Sequence, residues 1–287
     1  MRIGRTTSPE GSQYIVSPEG SKGWTSTRSL GWEATDIGSL IPVLPDLSAA
    51  LSGIAPEFDE DVVLLSPITR PGKVLAVGHN YRAHIAEVGK SVPAEPYIFA
   101  KYSSSLTGPN APITYPAGLT HELDYECELA VVIGTEARHV PPESAMSFVL
   151  GYAIANDVSA RDLQRSLGQI SLSKGIDGFC PFGPWVTTTS GDLDPGALEI
   201  TTRVNGEIRQ ASTTSDMVFS VADIISYLSR FVTLHPGDII LTGTPAGVGM
   251  GFSPPKYLLP GDVIECQISG LGRLVNPVVA GPTVQPD

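Results

Sequence analysis

The sequence predicts an α+β, β-rich fold, with a small N-terminal domain over residues 1–66 and a larger strand-dominated domain over 67–287. Two observations carry this. Short apolar, β-branched runs recur at 128–133, 150–155, 198–204, 238–242 and 262–268. They do not alternate regularly with helical patterns, which argues against a doubly wound sheet. The 30 glycines and 25 prolines then supply the many turns that a strand-rich chain needs.

In chain order, Gln13-Tyr14-Ile15-Val16 reads as a strand and Asp46 to Leu51 as a short helix. Pro67, Pro71 and Gly72 punctuate the end of the N-terminal unit, and Lys73-Val74-Leu75-Ala76-Val77 opens the longer region. Val204-Asn205-Gly206-Glu207 is a hairpin turn, because Asn and Gly tolerate the positive φ of a type I′ turn. Ser220 and Asp223 form a capping box with Asp in place of the usual Glu or Gln. Val221, Ile224, Ile225 and Leu228 then make an apolar stripe at helical spacing, so this helix reads as scaffold.

With 287 residues there is ample material for a core. A net charge of -12 argues against a nucleic-acid partner, which needs a basic face. A small anionic ligand remains compatible, since a metal and a few local cations reverse the field inside a pocket. Cys127, Cys180 and Cys266 are odd in number and widely spaced, so neither a disulfide framework nor a zinc pair is expected. Reduced, packed thiols point to a cytoplasmic location. The first residues carry no apolar core of a secretory signal, and no apolar run approaches the ~20 residues of a membrane span.

The most informative stretch is Asp124-Tyr125-Glu126-Cys127-Glu128, which runs straight into Leu129-Ala130-Val131-Val132-Ile133. A strand places residues i, i+2 and i+4 on one face, so Asp124, Glu126 and Glu128 are expected to point together. Like charges packed this way repel, and burial sharpens the repulsion. Either this is a strand end emerging into water, or a cation sits among the carboxylates. Asp157 follows the 150–155 strand signal and reads two ways, as a helix cap or as a third oxygen ligand with Glu126 and Glu128. An oxygen-only set selects Mg2+ or Mn2+, and also accommodates Ca2+, over Zn2+.

His84 and Glu87 stand at i and i+3, on one helical face. They read as a surface ion pair or as a base with its orienting carboxylate. His79, His121, His139 and His235 have no compelling partner pattern. The glycine-rich run Gly243 to Gly251 lacks the Gly-Lys-Ser/Thr of a phosphate loop, and Pro254-Pro255 oppose a helix there. It fits a tight loop that brings backbone and Thr244 close to a ligand.

Taken in order, these pieces resemble the fumarylacetoacetate hydrolase superfamily from about Lys73 to Asn276. The motifs are Val77-Gly78-His79-Asn80-Tyr81-Arg82, the acidic strand just described, Asn156-Asp157-Val158-Ser159-Ala160-Arg161-Asp162, Val204-Asn205-Gly206-Glu207, Thr233-Leu234-His235-Pro236-Gly237-Asp238 and Thr242-Gly243-Thr244-Pro245. The resemblance implies a mixed β-roll catalytic domain, a Mg2+ or Mn2+ site on Glu126, Glu128 and Asp157, and a homodimer formed through that domain. It implies a catalytic dyad of His84 and Glu87 on a segment that orders as a lid, an active-site lysine at Lys174, and substrate contacts from Arg161, Gln164 and Thr244. Asp124 matches the motif without matching a usual ligand position. The segment Ser173-Lys174-Gly175-Ile176-Asp177 departs from the common Gly-Lys-Ser-Phe-Asp, and Ile170 replaces a frequent tryptophan. These departures bear on the substrate side chain more than on the metal chemistry.

The reaction expected is metal-dependent hydrolysis of a C–C bond in a small 2-oxo or β-diketo acid, of the acylpyruvate or fumarylpyruvate kind. Decarboxylation or isomerisation of an oxaloacetate-type acid through the same enolate is the alternative. A non-catalytic metal-dependent binding protein is the reading from a different class, and the His84–Glu87 pair argues against it, since binding alone needs no base.

Overall fold

The computed structural model describes residues 1–18, 20–189 and 193–283. The apolar strand Cys127–Ile133 is buried along its whole length, so it needs a partner on each edge. Val149–Asn156 pairs antiparallel on one side, with Cys127 opposite Asn156. Ile239–Leu241 pairs antiparallel on the other, with Ala130 opposite Leu241. Val74–Gly78 then adds in parallel and Tyr97–Lys101 antiparallel. Beyond Val149–Asn156 come Cys180–Thr188, Arg2–Ser8, Gly11–Ser17, Gly23–Ser26 and Phe58–Asp59.

The sheet does not end freely at Tyr97–Lys101. The chain turns at once into Leu106–Thr107, which pairs with Cys180–Pro181 near the sheet's middle. This folds the edge inward and gives the mixed β-roll that the family resemblance implies. A second sheet of five strands, in the order Glu207–Thr213, Glu199–Val204, Val263–Ile268, Gly272–Ala280 and Ile113–Tyr115, packs on it.

Strand alternation divides the core. Leu129, Val131 and Ile133 face a cluster with Ile200, Ile264, Ile268 and Leu274 of the second sheet. Ala130 and Val132 face the other way, onto Ile3, Tyr14, Val16, Leu40 and Leu47. Residues 1–66 therefore share both a sheet and a core with the rest: Arg2 lies opposite Thr187, and Ile3 opposite Val186. Local signals held where local chemistry decides. Asn205 and Gly206 take φ of 52° and 81°, and the Ser220–Asp223 capping box starts the helix Val221–Ser229. Among the described residues no helix is long and apolar enough to cross a membrane.

One ion pair locks the parallel strands that carry the site. Asp238, with its side chain 1% exposed, accepts from Lys73 N–H at 2.8 Å, Lys73 Nζ at 2.7 Å and His235 N–H at 2.8 Å. Asp238→Ala strands two backbone donors and should lower unfolding stability by about 3 kcal/mol. A urea midpoint equal to that of the wild type would contradict this role.

Candidate metal centre and active site

The strand that begins at Cys127 does not extend back through Asp124. Leu123–Asp124 pairs instead with Ser159–Ala160. The chain leaves the ladder at 125–126, where Tyr125 is fully buried with its hydroxyl donating to Gly247 O at 2.9 Å. The Glu126 N–H is taken by the Asn156 side chain at 3.0 Å, and Asp157 N–H closes on Glu126 O at 2.8 Å. The expected common face is thereby corrected. Glu126 and Glu128 converge with Asp157, and one oxygen or more of each lies within 4.8 Å of the others. Asp124 points elsewhere: it accepts from Arg161 Nε at 2.8 Å and from the N–H groups of Gly249 and Met250 at 2.6 and 3.1 Å. Asp157 is no helix cap either, since the helix Arg161–Ser166 starts from Ala160.

Nor does the strand end emerge into water. Glu126, Glu128 and Asp157 are all buried, and cations from other elements reach them. Lys174, at the end of the helix Ile170–Lys174, donates to Glu126 Oε2 and Asp157 Oδ2 at 2.7 Å each. Lys101 donates to Asp157 Oδ1 at 2.5 Å and to the Lys174 carbonyl. Arg161 Nη2 lies 2.6 Å from Glu126 Oε1. Burial alone would raise the Glu126 carboxyl, but Lys174 and Arg161 outweigh it and hold it below the usual range. Lys174 is correspondingly kept ammonium by Asp157 and Glu126 against the pull of burial.

Glu128 is the exception. Its hydrogen bond comes from Gly243 N–H at 2.6 Å, and among the described residues no Lys or Arg pairs with it. Burial pushes its carboxyl well up, and Asp157 and Glu126 push it further. A divalent cation is the counter-charge this set lacks. Oxygens around an octahedral Mg2+ at about 2.1 Å stand about 3–4 Å apart, so the three carboxylates fit such an ion with small adjustments.

His84 and Glu87 lie on the short helix Arg82–Glu87, and His84 Nδ1 is 2.9 Å from Glu87 Oε2. This is not a surface pair, since His84 is 6% exposed. Glu87 is fixed from its other side by Gly247 N–H at 2.8 Å. Gly247 has φ +102°, and a Cβ there would run into the Arg209 carbonyl, so glycine is required for this approach. The glycine-rich run thus orients the His84–Glu87 pair, besides bringing Thr244 to the cavity. With Nδ1–H committed to Glu87, Nε2 carries the lone pair.

These groups line one cavity of about 410 Å3, which holds His84, Glu126, Glu128, Arg161, Gln164, Lys174 and Thr244. Arg161 is spent on Asp124 and Glu126, and its Nη1 donates to Gln164 Oε1 at 3.1 Å. Thr244 donates to Cys127 O at 2.9 Å and accepts from Gln210 Nε2 at 2.8 Å. Sequence reasoning missed Lys101, Gln210 and His79. Lys101 left one signal, a lone cation ending the apolar strand Tyr97–Lys101. Gln210, buried in a hairpin strand, left none, yet its Oε1 also accepts from Cys127 N–H at 3.1 Å. His79 lies in the cavity, its ring stacked on His84 at 6.2 Å. All three cysteines are buried and free.

A rolled sheet that gathers carboxylates for a hard cation beside a paired histidine belongs to a metal-assisted enzyme class. Residues 73–279 match the family described as fumarylacetoacetate (FAA) hydrolase C-terminal, and the chain belongs to that family. It is 43% identical over 267 residues to the mitochondrial oxaloacetate tautomerase Fahd2a of Rattus norvegicus, covering 87% of this chain and 85% of the relative. Among solved structures it resembles a 5-carboxymethyl-2-hydroxymuconate delta-isomerase from Mycobacterium smegmatis, with 39% identity, TM-score 0.79, and coverage of 99% of this chain and 100% of that one. It also resembles a maleylpyruvate hydrolase from Sphingobium sp. SYK-6 solved with manganese(II) and pyruvate, at 32% identity, TM-score 0.80, and coverage of 98% and 100%.

The unpaired Glu128 yields a test with opposite signs. In metal-free protein, Glu128→Gln removes a carboxyl whose ionised form this site disfavours, while its amide oxygen still accepts from Gly243, so near neutral pH the variant should unfold at higher denaturant than the wild type. Mg2+ or Mn2+ at about 100 times its Kd should add about 2.7 kcal/mol to the wild type and far less to the variant. Equal metal stabilisation of both proteins would remove Glu128 from the ligand set.

Proposed function

We propose that the protein catalyses keto–enol tautomerisation of a small 2-oxo diacid of the oxaloacetate type. The observation that carries this reading is His84, paired with Glu87 behind it, lining the same cavity as Lys174, Glu126 and Glu128. Tautomerisation moves one proton between carbon and oxygen, with no co-reactant and no bond to carbon skeleton broken. One positioned base with a free Nε2 is sufficient for it.

The residues divide the work as follows. His84 Nε2 takes the proton from the carbon next to the 2-oxo group, and Glu87 stabilises the imidazolium that forms. The same imidazolium then returns the proton to the enolate oxygen. Lys174 spends two of its three hydrogens on Glu126 and Asp157, which would leave the third for a substrate oxygen. A divalent cation on Glu126, Glu128 and Asp157 would supply Lewis-acid stabilisation of the developing negative charge. Gln164 and Thr244 would contact the substrate, and Arg161 would act through the carboxylates it holds.

The tautomerase and isomerase names of the relatives support this reading over C–C bond hydrolysis, which becomes the second choice. The maleylpyruvate hydrolase likeness keeps hydrolysis in view, because the same dyad could activate a water. The small anionic 2-oxo acid ligand, the homodimer and the cytoplasmic location belong to this proposal.

The test follows disappearance of enol-oxaloacetate and deuterium uptake at its C3, beside cleavage of an acylpyruvate, in enzyme holding Mg2+ or Mn2+. His84→Ala should lower enol turnover by ~10²–10⁴ while metal binding is kept, as loss of a general base does. Acylpyruvate cleaved faster than enol is consumed would overturn the tautomerase reading and restore hydrolysis.

A further inference from the structure

Four long-chain cations line the cavity: Lys90, Arg161, Arg165 and Lys174. Three are already matched to carboxylates. Lys174 holds Glu126 and Asp157, Arg161 holds Asp124 and Glu126, and Arg165 donates to both oxygens of Glu122 at 2.7 Å. Among the described residues Lys90 has no carboxylate partner. Its ammonium lies 2.9 Å from His79 Nε2.

That geometry is built rather than incidental. The helix Arg82–Glu87 ends on Gly89, whose φ of +67° suits the left-handed position after a helix. Gly89 N–H closes on Ala86 O and Lys90 N–H on Ile85 O, both at 3.0 Å, which is the Schellman arrangement. The chain reversal brings Lys90 back over His79. His79 itself is held between the rings of His84 and Tyr97, at 6.2 and 5.9 Å. Its backbone sits at φ 56°, next to Asn80, whose side chain bonds Thr242 O at 2.7 Å and Phe219 N–H at 2.8 Å. Burial, then Lys90 and His84, pull His79 down to about 4, so it is neutral near neutral pH and accepts through Nε2. An ammonium has three hydrogens, and the imidazole uses one.

We infer that Lys90, positioned by His79, recognises the distal carboxylate of the substrate and makes the site selective for 2-oxo diacids over 2-oxo monoacids. The inference rests on the proposed reading of a 2-oxo acid bound at the carboxylate cluster. Lys174 is buried and Lys90 exposed on the same cavity, so the ligand's keto-acid end goes inward and its second charge outward.

The experiment compares binding of oxaloacetate with that of 2-oxosuccinamate, in which a carboxamide replaces the distal carboxylate. Titration calorimetry with Mg2+ in excess reads affinity without depending on turnover. The wild type should prefer the diacid, and Lys90→Met should cut that preference by roughly tenfold, as loss of one charge-assisted hydrogen bond does. Lys90→Arg should restore most of it, which a merely structural lysine would not require. A preference absent in the wild type, or unchanged in Lys90→Met, overturns the inference. A Lys90-dependent preference in an enzyme that turns over neither ligand upholds Lys90 and sinks the tautomerase reading. Turnover with an unchanged preference does the reverse.

Discussion

Three carboxylates buried at one strand end are the constraint on which the rest of this structure turns. Left to themselves, Glu126, Glu128 and Asp157 would repel one another and resist desolvation. Each solution draws in a different element. Arg161 comes from the helix after Asp157, Lys174 from the next helix, and Lys101 from the far edge of the rolled sheet. Rolling the sheet is what brings Lys101 within reach of a residue 56 positions away. The one carboxylate left without a cation, Glu128, is where a divalent ion adds most.

The same economy governs the His84–Glu87 pair. His84 is useful only if its tautomer is fixed, and Glu87 fixes it only if Glu87 itself is held. Gly247 does this from the loop after Ile239–Leu241, the strand that pairs with the acidic one. Gln210 ties that loop to the start of the acidic strand, through Thr244 and Pro245 on one side and Cys127 on the other. The three carboxylates and the His84–Glu87 pair therefore share a single hydrogen-bonded frame.

Much of this was legible in the sequence, and the reason is locality. The Asn205-Gly206 turn, the Ser220–Asp223 capping box and the pairing of His84 with Glu87 depend on residues a few positions apart. Glu126 and Glu128 could be read from strand alternation, and Asp157 from its place after a strand. Alternation misled at Asp124, because a pattern of residue types does not show where a ladder stops. Tyr125 and the Asn156 side chain end it there, and both act through tertiary contacts. Lys101 and Gln210 reach the site across long sequence separations, so no spacing announced them; His79 lies five residues before His84, but not at the i+3 or i+4 spacing of a helical pair. The joining of residues 1–66 to the main sheet through Arg2–Ser8 was hidden for the same reason. The hydrolytic reading and its decarboxylase or isomerase alternative stay apart in the sequence because one dyad serves either chemistry.

The central claim is that Glu126, Glu128 and Asp157 together hold one hard divalent ion at the floor of the cavity. Anomalous scattering from a crystal grown with Mn2+ addresses it most directly. The account predicts a single strong peak at about 2.1 Å from an oxygen of each of the three carboxylates, with Lys174 still paired to Glu126 and Asp157. A peak coordinated elsewhere, or none at saturating Mn2+, would contradict it.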